Sequence, residues 1–271
     1  MALLSKHQID KSKEFIYQNG RLLERGLFEH FFGDAPRQAP VNALLAYRNT
    51  DGGFGNGIEP DLLCPDSTAI GAETALYVLE ILDYDDPEIL RKLAGWIVNN
   101  QIDDGSIKHP PQNLADYPFQ PWWANPDSSR VLVLAGLLKK WGVELPIFYE
   151  RVRDFYLQSE LPDEISFYSY PYFVYLKYCR ESSDDKARFE QLVAGLPVVL
   201  EEHNAHFPLF SRYWFYAKEH VPEEALVNEA QAFISALQDD GGIENPYPDL
   251  PWWRPIFTLD GLILLKKWGF L

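Results

Sequence analysis

The chain has 271 residues and a formal net charge of −16, with 46% hydrophobic and 24% charged residues. This composition is ordinary for a packed globular protein, and no linker divides the sequence, so we predict one domain over residues 1–271. The acidic balance disfavours nucleic acid and anionic membranes as partners, because proteins bind both through Lys and Arg side chains.

The cellular location is predicted from the N-terminus, the apolar runs and the cysteines. Residues 1–8 contain no apolar signal region, and the longest apolar run, 131–138, is too short to span a bilayer. Cys64 and Cys179 lie far apart, and neither a CxxC nor an HExxH motif occurs. These features predict a cytoplasmic protein with free thiols and no transmembrane segment, structural zinc or other cofactor.

Helical patterns cover nearly the whole sequence, and strand patterns are almost absent. Helix starts carry capping signals, as in the segment 86–88 (DPE), where Asp caps the helix, Pro occupies the first turn and Glu favours the helix dipole. After N-terminal segments at 5–32 and 40–48, the predicted helices span residues 66–82, 86–101, 128–141, 146–158, 166–179, 184–201, 208–218, 222–237 and 255–268.

Two kinds of helix alternate in this series. The first, third, fifth, seventh and ninth predicted helices are apolar or aromatic over most of their length, whereas those between them carry charge along one face. An inner ring of helices surrounded by an outer ring produces this alternation, because inner helices have little contact with solvent. We therefore predict an all-α fold, an α/α toroid (barrel) of five or six helix pairs that the N-terminal segments close.

An internal repeat supports this arrangement. The segment QIDDGSI at 101–107 recurs as QDDGGI at 238–243, PWW at 121–123 recurs at 251–253, and LKKWG at 138–142 recurs at 265–269, while NTDGGF at 49–54 is a diverged third copy of the first segment. Matches in the same order indicate a repeated structural unit. In each copy Asp-Gly follows an outer helix. Because Gly tolerates positive φ and Asp bonds nearby amides, we interpret Asp51, Asp104 and Asp240 as turn residues.

These turns resemble the QW motif of triterpene cyclases, which reads aromatic, aliphatic, three residues, Gln, a short spacer and Gly-x-Trp. Segments 96–101 and 233–238 fit its first half, and Ile107, Ile243 and Phe54 replace the closing Trp. The segment 51–66 (DGGFGNGIEPDLLCPD) is also similar to bacterial proteins with prenyltransferase and squalene-oxidase repeats. The resemblance implies the α/α toroid of squalene–hopene cyclases and protein prenyltransferases, and a protein that handles isoprenoids.

Class II cyclases in that family protonate an alkene with the middle Asp of an Asp-x-Asp-Asp-Thr-Ala motif. The segment 83–86 (DYDD) matches its first letters, but we interpret it as a turn followed by a helix cap. The segment 64–69 (CPDSTA) matches better by position and aligns Asp66 with the acid. Cys64 and Ser67 then stand where the family has flanking carboxylates.

Flanking carboxylates matter because like charges raise the pKa of an acid, whereas a helix N-terminus lowers it. Glu59 and Asp61 restore the crowding of negative charge around Asp66, so the predicted catalytic group is Asp66, Asp61 and Glu59. The alternative for Asp66 is a helix N-cap.

The zinc ion of protein prenyltransferases is held by Asp, Cys and His side chains. Here Asp61 and Cys64 have a different spacing from that family's pair, and no His is placed to join them. We therefore predict no metal.

The loops before the predicted inner helices are rich in aromatic residues. The predicted substrate-binding residues are Trp122, Trp123, Trp252, Trp253, Arg254, Tyr170, Arg212 and Trp214. Aromatic faces suit a cationic intermediate or a bulky apolar ligand, so the predicted partner is a small hydrophobic molecule. Two alternatives stay open: a carbohydrate-active toroid enzyme of the glycosidase or epimerase type, and a non-catalytic binding protein whose rings fill the centre.

Overall fold

A computed structural model describes residues 4–159, 169–203, 212, 215–245 and 247–271, and these residues form eleven α-helices and no strand. The all-α prediction is confirmed. The helices are α1 Lys6–Asn19, α2 Leu22–Phe32, α3 Gln38–Leu45, α4 Ala69–Ile81, α5 Pro87–Asn99, α6 Arg130–Lys140, α7 Pro146–Gln158, α8 Tyr170–Cys179, α9 Ser183–His203, α10 Glu223–Ala236 and α11 Trp253–Lys267. None of the described helices is long and apolar enough to cross a membrane.

Helix positions agree with the prediction to within a few residues, apart from one predicted helix. The N-terminal segment 5–32, for which no helix bounds were predicted, forms two helices, because Gly20 takes an extended conformation and its amide donates to the carbonyl of Ile16 at 2.8 Å. The predicted helix 208–218 falls mostly outside the described residues, and its last residue opens a short 3-10 helix, Lys218–His220.

The chain divides into two compact units, one formed by Leu44–Gly195 and the other by Met1–Ala43 with Leu196–Leu271. The prediction of a single domain stays a prediction. In the unit of residues 44–195, α6 packs against both α4 and α8, while α5 contacts α4 and α7 contacts α6. The unit therefore has a layer of α4, α6 and α8 with further helices packed beside it.

Burial in this unit follows the two classes that the sequence predicted. In α4 every residue except Glu80 is buried, and in α6 residues 131–138 are all buried. In α5 the buried residues share one face, as expected of a helix with one side in water. In the other unit, α1, α2 and α11 contact one another, and α11 is buried almost throughout.

The repeated Asp-Gly turns have the structural role that the sequence predicted. The carboxylates of Asp51, Asp104 and Asp240 accept hydrogen bonds from the amides of Gly53, Ser106 and Gly242 at 2.9, 2.8 and 3.0 Å. The glycines after these aspartates have φ between 87 and 94°. Each of these glycines also lies against the backbone of a neighbouring helix, α5, α7 or α1, where a Cβ would collide. The repeat therefore fixes how a turn packs on a helix.

Candidate functional site

Buried acidic side chains gather around α4. Glu59 and Asp61, from the loop that precedes this helix, are each about 4% exposed, and Glu73 lies in the second turn of the helix among apolar neighbours. Charged carboxylates are rarely buried without partners, so their partners determine what the site can do.

Asp61 is held by the loop that contains Trp122 and Trp123, the first of the two predicted tryptophan pairs. The indole Nε1 of Trp123 donates to its carboxylate at 3.0 Å, and the backbone amide of Gln120 donates to its carbonyl at 3.0 Å. The backbone carbonyl of Trp123 lies 2.9 Å from Nε2 of His109. The tautomer that makes this hydrogen bond carries its proton on Nε2 and leaves Nδ1 as an acceptor. The predicted residues Asp61 and Trp123 therefore touch each other.

Glu73 forms a buried ion pair with the first residue of α6. Nη1 of Arg130 lies 2.5 Å from the Glu73 carboxylate, and Nε of Arg130 lies 2.6 Å from the carboxylate of Asp127. The side chains of Arg130 and Asp127 remain 17% and 22% exposed, so Arg130 and Asp127 both reach solvent. The guanidinium of Arg130 thus connects the buried carboxylate of Glu73 to the partly exposed carboxylate of Asp127.

Burial raises the pKa of Glu73 above its ordinary value, and the negative charges of Asp127 and Glu59 raise it further. The guanidinium of Arg130 opposes this shift without cancelling it. Glu59 itself accepts a hydrogen bond from the hydroxyl of Thr74, the next residue of α4. The two carboxyl groups therefore lie close together but have different hydrogen-bonding partners.

His109 lies within the influence of the same charges. Burial lowers the pKa of its imidazole, and the positive charge of Arg130 lowers it too, while Asp127 and the hydrogen bond to Trp123 oppose the shift. The ring is therefore neutral at pH 7 and makes an edge contact with the indole of Trp123, the ring centres being 6.2 Å apart.

Asp66 has different surroundings. Its carboxylate accepts hydrogen bonds from the backbone amide and the side-chain amide of Asn113, at 3.1 and 3.0 Å. It does not cap α4, because the hydroxyl of Thr68 accepts the bond from the amide of Gly71 that defines the cap. The N-cap interpretation of Asp66 is therefore wrong. Its predicted catalytic role stays a prediction.

The predicted aromatic residues divide between surface and core. Trp122 and Trp252 are 48% and 41% exposed, whereas Trp123 and Trp253 are buried. Trp253 packs on Phe257 with ring centres 5.6 Å apart. Tyr170 is the partly buried first residue of α8, and Trp214 lies outside the residues that the structure describes.

The two predicted arginines bind acidic side chains of their own unit. Arg254 donates to the carboxylate of Asp240 at 2.6 and 2.7 Å and lies over the ring of Phe15, so it supports the last Asp-Gly turn. Nε of Arg212 lies 2.7 Å from the carboxylate of Asp260 in α11. Burial raises the pKa of Asp260 as it does that of Glu73, and Arg212 opposes the shift.

Asp260 stands at the repeat position of Glu73, although their arginine partners, Arg212 and Arg130, do not correspond in the repeat. Ser67 donates a hydrogen bond to Asp51 of the first Asp-Gly turn, and Arg254 donates one to Asp240 of the last. Glu73 follows Ser67 at the same distance in sequence as Asp260 follows Arg254. An acidic residue in a mostly apolar helix is the sequence signal for both carboxylates, and neither Glu73 nor Asp260 was among the predicted site residues. Nothing in the local sequence indicated that Arg130 and Asp127 belong to the site.

No protein-family model matches the chain, and a search of curated proteins found no relative of it. Within the described residues, no group of three His, Cys, Asp or Glu side chains is placed to hold a metal ion.

Proposed function

We propose that the helices form an α/α toroid and that the protein binds or transforms an isoprenoid or another bulky apolar ligand, with Glu73 as the acid if the reaction is acid-assisted. The observation that supports this most directly is the burial of the Glu73 carboxyl group in an apolar helix, which raises its pKa. Such a group holds a proton at a higher pH than a carboxyl group in water, as a general acid must.

The contacts of Glu73 suit a proton donor. In the proposed step its O–H bond breaks, the proton adds to one carbon of an alkene, and the alkene's π electrons form the new C–H bond. The step leaves a carboxylate on Glu73 and a carbocation on the ligand. Arg130, 2.5 Å from Glu73, stabilises the carboxylate that results. Asp61 and Trp123 hold the neighbouring loop in place.

The repeat and the burial pattern support the toroid. Apolar, fully buried helices alternate with one-sided helices along the chain, and three Asp-Gly turns pack on their neighbouring helices in the same way. In repeat proteins such a unit buries its apolar face against the next copy.

Incubation with squalene and with geranylgeranyl diphosphate, followed by mass spectrometry of the extracted products, tests the proposal. A thermal-unfolding measurement on the same samples reports binding, since a ligand at 100 times its Kd adds about 2.7 kcal/mol of stability. We expect Glu73→Gln to keep the thermal shift and to lower product formation by about 100-fold or more. Glu150→Gln, an exposed change on α7, is the matched control.

The possible results separate the parts of the proposal. A thermal shift without any product would keep the ligand class and refute the acid role. Wild-type product formation by Glu73→Gln would refute Glu73 as the acid. Neither a shift nor a product with any isoprenoid would overturn the proposed function.

A further inference from the structure

A polar cleft of about 450 Å³ lies beside the first Asp-Gly turn, in the unit of residues 44–195. Its walls come from the turn itself, the segment before α4, the end of α5 and the segment 108–113. Its volume falls in the range of small-molecule sites. Most lining side chains are amides, hydroxyls or charged groups, so the cleft does not suit the apolar ligand proposed above.

Hydrogen bonds fix the walls of this cleft before any ligand arrives. Ser67 donates from its hydroxyl to Asp51 at 2.8 Å and accepts from the side-chain amide of Asn49 at 2.9 Å. On the other side Asn113 donates twice to Asp66 through its side chain and its backbone. Side chains held in this way lose little conformational freedom when they bind a ligand.

The cleft offers both donors and acceptors to a ligand. Lys108 and Gln112 supply exposed donors from one wall, while Asp51 and Asp66 supply carboxylate oxygens from the others. A hydroxyl group both donates and accepts, so several hydroxyls on one ring match such a mixture. Two carboxylates against one ammonium leave the lining negative, which disfavours phosphates and other anions.

We infer that this cleft binds a neutral polyhydroxylated ligand, namely a sugar. Asp66, aligned with the family's acid in the sequence, then acts as a hydrogen-bond acceptor for a sugar hydroxyl. The inference does not rest on the proposed isoprenoid function, because its residues and those around Glu73 have separate partners.

Saturation-transfer NMR on the full chain tests it with glucose, N-acetylglucosamine, maltose and cellobiose at millimolar concentration. We expect Lys108→Met and Asp66→Asn each to weaken sugar binding by about tenfold or more, because each removes a hydrogen bond to a charged group. Lys6→Met and Asp85→Asn make the same chemical changes at exposed positions outside the cleft and should bind as the wild type does.

All four variants change partly or fully exposed side chains, and we expect each to fold as the wild type does. An unchanged unfolding temperature checks this for each variant. The cleft would be supported as a sugar site if the wild type and both controls show saturation transfer to a sugar and both cleft variants show less. No transfer from the wild type to any of the four sugars would overturn the inference, and so would cleft variants that bind as well as the controls. The isoprenoid assay with Glu73→Gln gives its answer independently of either result.

Discussion

Replacing Arg130 with methionine should make the stability of the protein depend more steeply on pH through the carboxyl group of Glu73, whose pKa is already raised. Methionine keeps much of the side-chain length but removes the guanidinium that lies 2.5 Å from this buried carboxylate. Burial already raises the pKa of Glu73, and the carboxyl group then faces the negative charges of Asp127 and Glu59 without the guanidinium. The folded variant is therefore expected to keep Glu73 protonated.

Holding that proton at pH 7 lowers the free energy of unfolding of the variant. The unfolded chain has an ordinary glutamate pKa of 4.5, so at pH 7 the folded variant must take up a proton that the unfolded chain does not hold. This costs about 3 kcal/mol, since each pH unit above the unfolded pKa costs about 1.4 kcal/mol. Because the folded-state pKa of Glu73 is raised, its contribution to stability is fully present below pH 4.5 and is lost as the pH rises.

Urea unfolding of Arg130→Met at a series of pH values between 4.5 and 7 measures this slope directly. Adding Glu73→Gln to the same protein should abolish the slope, because glutamine does not titrate, and should recover most of the lost stability at pH 7. Equal losses in the single variant at both ends of the pH range would refute the reasoning. A double variant that kept the slope would refute it as well, because the titrating group would then not be Glu73.

Three further substitutions test the packing of the unit of residues 44–195. The carboxylate of Asp185 forms an ion pair with Arg153 and accepts hydrogen bonds from the backbone amides of Glu181 and Ser182, just before α9. Burial alone would raise the pKa of Asp185, but these contacts outweigh it and lower the pKa from 3.8 to about 2. Asp185→Asn should therefore cost about 2 kcal/mol at pH 7 in urea unfolding, and this contribution should disappear as the pH falls from 3.8 through about 2; an equal difference between variant and wild type at both ends of that range would contradict it. Gly105→Ala should cost at least about 2 kcal/mol, because φ is +87° and the new Cβ would lie 2.3 Å from the carbonyl oxygen of Arg151. Gly95→Ala in α5, where an added Cβ would meet no described atom within 4 Å beyond its own stretch of helix, should instead stabilise the helix by about 0.5–1 kcal/mol. Thermal unfolding should therefore rank the two alanine variants on opposite sides of the wild type.

Much of the local structure was predictable because its causes are local. The hydrogen bonds of Asp86 to the amides of Glu88 and Ile89 confirm the predicted cap of α5. The Asp-Gly turns confirm that an aspartate side chain can bond an amide two residues ahead while glycine takes positive φ. Such bonds join residues that are neighbours in sequence, so a pattern of residue types is enough to indicate them.

The capping residue of a helix is harder to predict where several residues that can cap follow one another in sequence. Asp66, Ser67 and Thr68 can each cap a helix, and the sequence favoured the first as the alternative to a catalytic role. The structure gives the cap to Thr68, directs Asp66 to Asn113 and directs Ser67 to Asp51. The choice depends on distant partners, because Asn113 is 47 residues away in the chain.

The sequence alone determined an all-helical chain with repeated turns and alternating apolar and one-sided helices, because periodicity, capping and turn chemistry act within a few residues. Only the tertiary structure decided which acidic residues share a site. Glu73 meets Arg130 across 57 residues and Asp61 meets Trp123 across 62. No periodicity specifies pairs so far apart. They form because a buried charge needs a partner and the packing of α4, α6 and their loops brings one within reach.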